Sequence, residues 1–267
     1  MDPFTRTIQI GTRAYALTSD DTYLCDLADP FEPDLVALAT ALIQPTQGVC
    51  DIGANIGCTA LLFSQLARAV HAYEPVPSTF QFLATNVAAV ATITAYNYGL
   101  GREAAQIPMH YSAASRAGGF LAPTLARPDG HVTETAQIYP LDQCAFGQAL
   151  PCIDVLKLDV EGSELAVLDG ATATLAACHP LVLLEMNHWC LNAFHRITVP
   201  DFLDQLCATF PVLLALQGQT YLDVHDPSER YVVMYRHILQ CHYMTLVGAF
   251  AATQVQPVLD TYHHGIA

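Results

Sequence analysis

Asp51-Ile52-Gly53-Ala54-Asn55-Ile56-Gly57 decides the fold, because it stands between a compact apolar run, Gly48 to Ile52, and a helical pattern that begins at Cys58. A strand that passes through a glycine turn into a helix is how an open α/β sheet presents a ligand crevice beyond its strand ends. Gly53 and Gly57 let the backbone turn tightly and lie close to a ligand, and Asn55 is the side chain that best accepts a left-handed conformation in place of a middle glycine. Glu74 closes the next apolar run, Val70 to Tyr73. About 20 residues beyond such a turn, a carboxylate accepts hydrogen bonds from both hydroxyls of a ribose. The plainer alternative is a glycine turn needed only for packing, with Glu74 a solvated strand end. A nicotinamide cofactor uses a similar strand, turn and acid. Its loop, however, is G-x-G-x-x-G and carries a pyrophosphate, whereas this one reads G-x-N-x-G with an acid, Asp51, just before the turn.

Outward from this loop the chain alternates. Residues 7 to 17 alternate around a Gly-Thr turn and predict a hairpin; Pro33 opens a helical pattern to about Ile43. After the loop come a helix over 58–69, a helix from Ser78 to about Val90 and a strand over 92–98. A strand is expected over 106–111, and the Ser, Ala, Gly and Pro content of 112–133 predicts a loop able to cover a site. The rhythm resumes with a strand over 153–160, a helix over 163–177, a strand over 181–186 and a helix over 199–210. Val212 to Leu216 and Tyr231 to Tyr235 are β-rich and suggest an antiparallel pair at the end of the sheet. The expected organisation is a hairpin and helix over 1–45, a main domain over 46–240 and a tail over 241–267.

Composition narrows the function. The formal charge is −15 with ten basic residues in all, so no basic stripe is available to neutralise phosphates, and nucleic acid is not expected as a partner. No apolar stretch approaches the roughly 18–20 residues of a membrane span. Nine cysteines are scattered without C-x-x-C or alternating C/H spacing, so neither a disulfide framework nor a metal site is expected. The amino terminus lacks the pattern of a secretory signal, and a reduced, cytoplasmic setting is the expectation.

The run DIGANIG at 51–57, with YEP at 73–75, VLKLDVEGSELAVLDGA at 155–171 and PLVLLEMN at 180–187, resembles the FkbM family of methyltransferases over about residues 48–216. The resemblance implies a class I, Rossmann-like methyltransferase: a seven-stranded, mostly parallel sheet with one antiparallel strand, helices on both faces, and here an amino-terminal hairpin. It implies S-adenosylmethionine as cofactor and methyl transfer to a hydroxyl oxygen of a sugar, glycan or glycosylated secondary metabolite. By position, Asp51, Gly53, Asn55 and Gly57 would hold the methionine half, Glu74 the ribose, and the stretch from Asn97 through Gly99 to Leu100 would lie near the adenine.

An alcohol has a pKa comparable with that of water, roughly 15–16. A side-chain base must therefore act as the new bond forms. Candidates gather at two strand ends: Asp159 and Glu161, then Glu185, Asn187 and His188. Asp159, which also falls beside the cofactor, is the first choice for orienting or deprotonating the acceptor, His188 the second, with Glu185 beside them. Against this, Asp159 and Glu161 are placed to cap the following helix, with Lys157 paired to one of them. A divalent cation on Asp159, Glu185 and Asn187 ranks below metal-free catalysis, since no dense ligand motif asks for it. The competing functions are a nicotinamide-dependent oxidoreductase and a non-catalytic, cofactor-binding scaffold.

Overall fold

The computed structural model describes residues 2–112, 115–120, 131–147 and 153–266. In chain order, β1 (Phe4–Ile10) and β2 (Arg13–Ser19) form the hairpin, followed by α1 (Thr22–Asp26), α2 (Pro33–Leu42), β3 (Gly48–Ile52), α3 (Cys58–Phe63), β4 (Ala69–Tyr73), α4 (Pro77–Val87) and β5 (Ile93–Tyr96). Next come β6 (Gly99–Leu100), β7 (Ala105–Ser112), β8 (Ser115–Phe120), β9 (His131–Tyr139), α5 (Leu141–Gly147), β10 (Val155–Leu158), α6 (Glu164–Asp169), α7 (Thr172–Cys178) and β11 (Leu181–Glu185). The remainder is α8 (His188–Cys190), a π-helical turn at Leu191–His195, α9 (Val199–Thr209), β12 (Val212–Gln217), β13 (Thr220–Asp223), α10 (Pro227–Gln240), β14 (Thr245–Ala249), α11 (Gln256–Thr261) and β15 (His263–His264).

The main sheet has the order β15-β13-β12-β14-β11-β10-β3-β4-β5. From β5 to β11 the strands are parallel, β14 is reversed, and β12 returns to the common direction. These seven are the expected mostly parallel sheet; β13 and β15, both reversed, lengthen it at one edge. Its central strands are buried on both faces, as parallel strands are: in β3 Val49 joins one core cluster while Cys50 and Ile52 join the other. Helices α2, α3 and α4 supply the first cluster, and α6, α9 and α10 the second.

Several boundaries differ from the sequence expectation. Tyr231 to Tyr235 lie within α10, not in a strand: Asp226 caps that helix by accepting from the Ser228 and Glu229 N–H groups at 2.8 and 3.0 Å, and Pro227 occupies its first turn. The reversed strand is instead β14, in the stretch expected as a tail. The helix expected over 163–177 is two helices. They part at Gly170, where a Cβ would stand 1.9 Å from the Gly101 carbonyl oxygen. The second restarts because Asp142 accepts from the Ala173 and Thr174 N–H groups. Of the stretch expected as a loop over 112–133, residues 113–114 and 121–130 lie outside the described residues. The rest contributes the end of β7, β8 and the start of β9 to a small sheet of order β6-β9-β7-β8. Among the described residues, no helix is long and apolar enough to cross a membrane.

The hairpin is fastened to the decisive loop. Asn86 on α4 accepts from the Thr18 N–H at 2.8 Å and donates to the Thr18 and Ile56 carbonyls at 3.1 and 2.9 Å. One amide thus holds β2, α4 and the turn before α3 in register.

Candidate active site

The loop after β3 is built on positive backbone angles at Gly53 (φ 79°), Asn55 (φ 49°) and Gly57 (φ 104°). At Gly53 only glycine fits, because a Cβ there would come within 1.9 Å of the Asp159 carbonyl oxygen. That close approach brings the ends of β3 and β10 together and opens a cavity of about 280 Å³ beyond the carboxyl ends of the parallel strands.

The strand order arranges the cavity wall. Glu185 ends β11, Asp159 and Glu161 follow β10, Gly53 to Asn55 follow β3, Glu74 follows β4, and Gly99 and Leu100 follow β5. Pro75, Val76, Leu100, Met109 and Ile138 give one side an apolar lining, and the other side is acidic. Tyr23 and Glu32 also reach the wall from the amino-terminal segment. No local motif announces them, since they arrive only through docking of that segment on the sheet.

Glu74 is 6% exposed and lines the cavity. Its two oxygens accept the Asn55 N–H at 3.1 Å and the Val76 N–H at 2.9 Å, which fixes the carboxylate in orientation. Burial pushes its carboxyl up to about 7 against the pull of those two N–H groups. Asn97 acts one step away: its amide donates to the Glu74 carbonyl at 3.1 Å and does not line the cavity.

Asp51 is turned away from the cavity, contrary to the expected contact with the methionine half. It is fully buried, accepting from the Thr59 hydroxyl at 2.6 Å with its other oxygen 3.3 Å from Lys157 Nζ. The register explains this: Asp51 lies opposite Lys157 of β10 in the sheet. Gly57 likewise stands behind the wall, where a Cβ would press on Leu83 and Val87 at 3.0 Å.

The Lys157 ammonium is buried beneath the loop and touches three oxygens: Gly53 O at 3.1 Å, Asp51 Oδ1 at 3.3 Å and Asp159 Oδ2 at 3.4 Å. Burial alone would lower its pKa, but the two carboxylates outweigh that and hold it well above the usual lysine value. Burial likewise pushes the Asp159 carboxyl up, and Lys157 together with a hydrogen bond from Glu185 brings it below its ordinary value. Glu185 is driven the other way, by burial first and then by the Asp159 charge. Two carboxyl groups can share a hydrogen bond only with a proton between them. The two shifts run in opposite directions, Glu185 toward the neutral form and Asp159 toward the anion.

Glu161 (φ 54°) accepts from the Cys190 thiol at 3.0 Å and the Asn187 amide at 3.4 Å. Neither Glu161 nor Asp159 caps the next helix, which has no side-chain cap; Glu164, its first residue, instead folds back on the preceding turn, accepting from the Val160 and Gly162 N–H groups at 3.1 and 3.2 Å. His188, a candidate base, is placed elsewhere. Asn187 caps its short helix, and the His188 ring packs edge-on against buried His237, centroids 4.9 Å apart, outside the cavity wall. Among the described residues, no group of three or more His, Cys, Asp or Glu is arranged to hold a metal ion.

The reversed strand in a parallel sheet, the glycine-built turn and the acid at the next strand end define a Rossmann-like site of the class I methyltransferase type. The chain belongs to the family described as the methyltransferase FkbM domain, whose model matches residues 51–206. A curated relative, hexuronic acid methyltransferase AglP of Haloferax volcanii, is 31% identical over 157 residues, covering 58% of this chain and 62% of the relative. A crystal structure of methyltransferase FkbM from Methylobacillus flagellatus aligns at 16% identity and TM-score 0.48, over 77% of this chain and 44% of that one. An rRNA methylase of Streptococcus thermophilus aligns at 8% identity and TM-score 0.45, over 81% and 95%. The chain therefore spans less than two thirds of the length of AglP and of the FkbM structure.

Proposed function

We propose that the protein is an S-adenosylmethionine-dependent O-methyltransferase acting on a hydroxyl of a sugar, glycan or glycosylated secondary metabolite. The observation that carries this reading is the cavity itself, with Glu74 held at one strand end and the Asp159–Glu185 pair two and three strands away along the same edge. The residues fit the cofactor: a carboxylate oriented by two N–H groups suits a ribose diol, the apolar side suits an adenine, and the acidic side suits an ammonium and a sulfonium. Asn55 lines the same wall, and its buried Oδ1 has no hydrogen-bond partner within the protein.

Bound adenosylmethionine supplies an electrophilic methyl group on a sulfonium. The protein's part is alignment and proton removal. Asp159, favoured as the anion by Lys157, would accept the proton of the acceptor hydroxyl. Glu185, favoured in its neutral form, orients Asp159 through their hydrogen bond. Lys157 fixes the loop and the base together, because the same ammonium holds the Gly53 carbonyl and the Asp159 carboxylate.

The test is transfer of a labelled methyl group from adenosylmethionine to a panel of saccharides and glycosides. Labelled methyl ethers are the expected product. Cofactor binding without transfer to any member would favour a scaffold, and response only to a nicotinamide cofactor would favour an oxidoreductase.

A further inference from the structure

We propose that the acceptor is a non-anionic saccharide, neutral or amine-bearing near the reacting hydroxyl, and that the site turns away uronates. This inference rests on the methyltransferase reading of the cavity. Glu32, Asp159 and Glu161 line the wall, with Glu185 beside Asp159 held toward its neutral form, and among the described residues Lys157 is the single basic side chain there. An ammonium has three donors. Lys157 is 6% exposed, donates to the Gly53 carbonyl and lies 3.3 and 3.4 Å from Asp51 and Asp159, so its charge is already committed to the protein's own oxygens.

Glu161 sharpens the point, because its hydrogen-bond partners, the Cys190 thiol and the Asn187 amide, are both neutral donors. Burial first, and then the Asp159 charge, push its carboxyl up against the opposing pull of the Cys190 thiol and of Lys157. A uronate placed at this wall would meet like charge in a partly water-excluded space, where such repulsion exceeds its value in bulk water. Sugar hydroxyls, by contrast, donate to the same carboxylates, and an ammonium on the sugar would be attracted. AglP is named for a hexuronic acid; the acid set of this chain points to a different acceptor charge.

The full chain is first titrated with adenosylmethionine by calorimetry. Labelled transfer is then measured on matched methyl glycosides of glucose, glucosamine and glucuronic acid and on a glycan library containing all three kinds of residue. The expected result is a kcat/KM at least about tenfold higher for the neutral and amino members than for the uronates at low salt, narrowing at high salt, where screening weakens the repulsion. The gap should also narrow in Glu161→Gln and in Glu32→Gln, two variants at separate points of the wall. Uronates used as well as their neutral counterparts, or a gap indifferent to salt and to both variants, would overturn the charge inference while leaving the methyltransferase reading in place. Absence of cofactor binding, or transfer to no saccharide at all, would overturn both.

Discussion

Lys157 Nζ stands 3.4 Å from Asp159 Oδ2, and the same ammonium reaches through the sheet to Asp51, so the base proposed for catalysis is anchored on a charge buried in the core. Removing one partner of a buried pair leaves an uncompensated charge, which typically costs about 3–5 kcal/mol. Lys157→Met is expected to lose stability of that order in urea denaturation. Adding Asp51→Asn to it should recover part of the loss, since the stranded charge is then gone.

Asp159→Asn keeps the shape of the side chain but cannot take a proton from an alcohol. Turnover is expected to fall by about 10²- to 10⁴-fold, the usual worth of a positioned base, while the calorimetric affinity for adenosylmethionine changes little. Equal loss in both measurements would remove Asp159 from the role of base.

Gly53 combines a φ of 79° with a Cβ position 1.9 Å from the Asp159 carbonyl oxygen. Gly53→Ala must therefore push the ends of β3 and β10 apart. The expected outcome is a stability loss above about 1 kcal/mol together with loss of cofactor binding. Wild-type thermal stability and affinity in this variant would show that the close approach is not needed.

Glu164 is 1% exposed, and burial pushes its carboxyl up to about 7 from an ordinary value of 4.5 despite its bonds from backbone N–H groups. A carboxyl raised in the native state binds its proton more tightly there than in the unfolded chain. It costs nothing below pH 4.5, and its destabilising effect grows as pH rises toward 7, to about 3 kcal/mol. Glu164→Gln keeps an oxygen for the two N–H groups and cannot ionise. Its stability relative to the parent should therefore increase across pH 4.5 to 7 and level off above, read from urea unfolding at a series of pH values. Glu74 titrates in the same window in both proteins, so its contribution cancels in the difference.

The crevice was legible because its signals are local. A glycine pair around Asn55 and an acid at the next strand end follow from backbone sterics, and both Gly53 and Glu74 line the cavity. What escaped the sequence depends on partners far along the chain. Asp51 turns inward because Lys157 lies opposite it in the neighbouring strand, and His188 turns outward because His237 of α10 receives it. Tyr231 to Tyr235 have strand-like composition, yet a cap at Asp226 and the packing of Val233 into the core make them helical. Glu32 and Tyr23 carry no motif, and only docking of the amino-terminal segment brings them to the wall.

Calorimetric titration of adenosylmethionine into the wild-type chain and into Glu74→Ala bears most directly on the cavity as a cofactor site. Saturable binding by the wild type is expected, weakened at least about tenfold in the variant, as for loss of hydrogen bonds to a charged group. No binding by the wild type at millimolar ligand, or binding indifferent to Glu74→Ala, would contradict it.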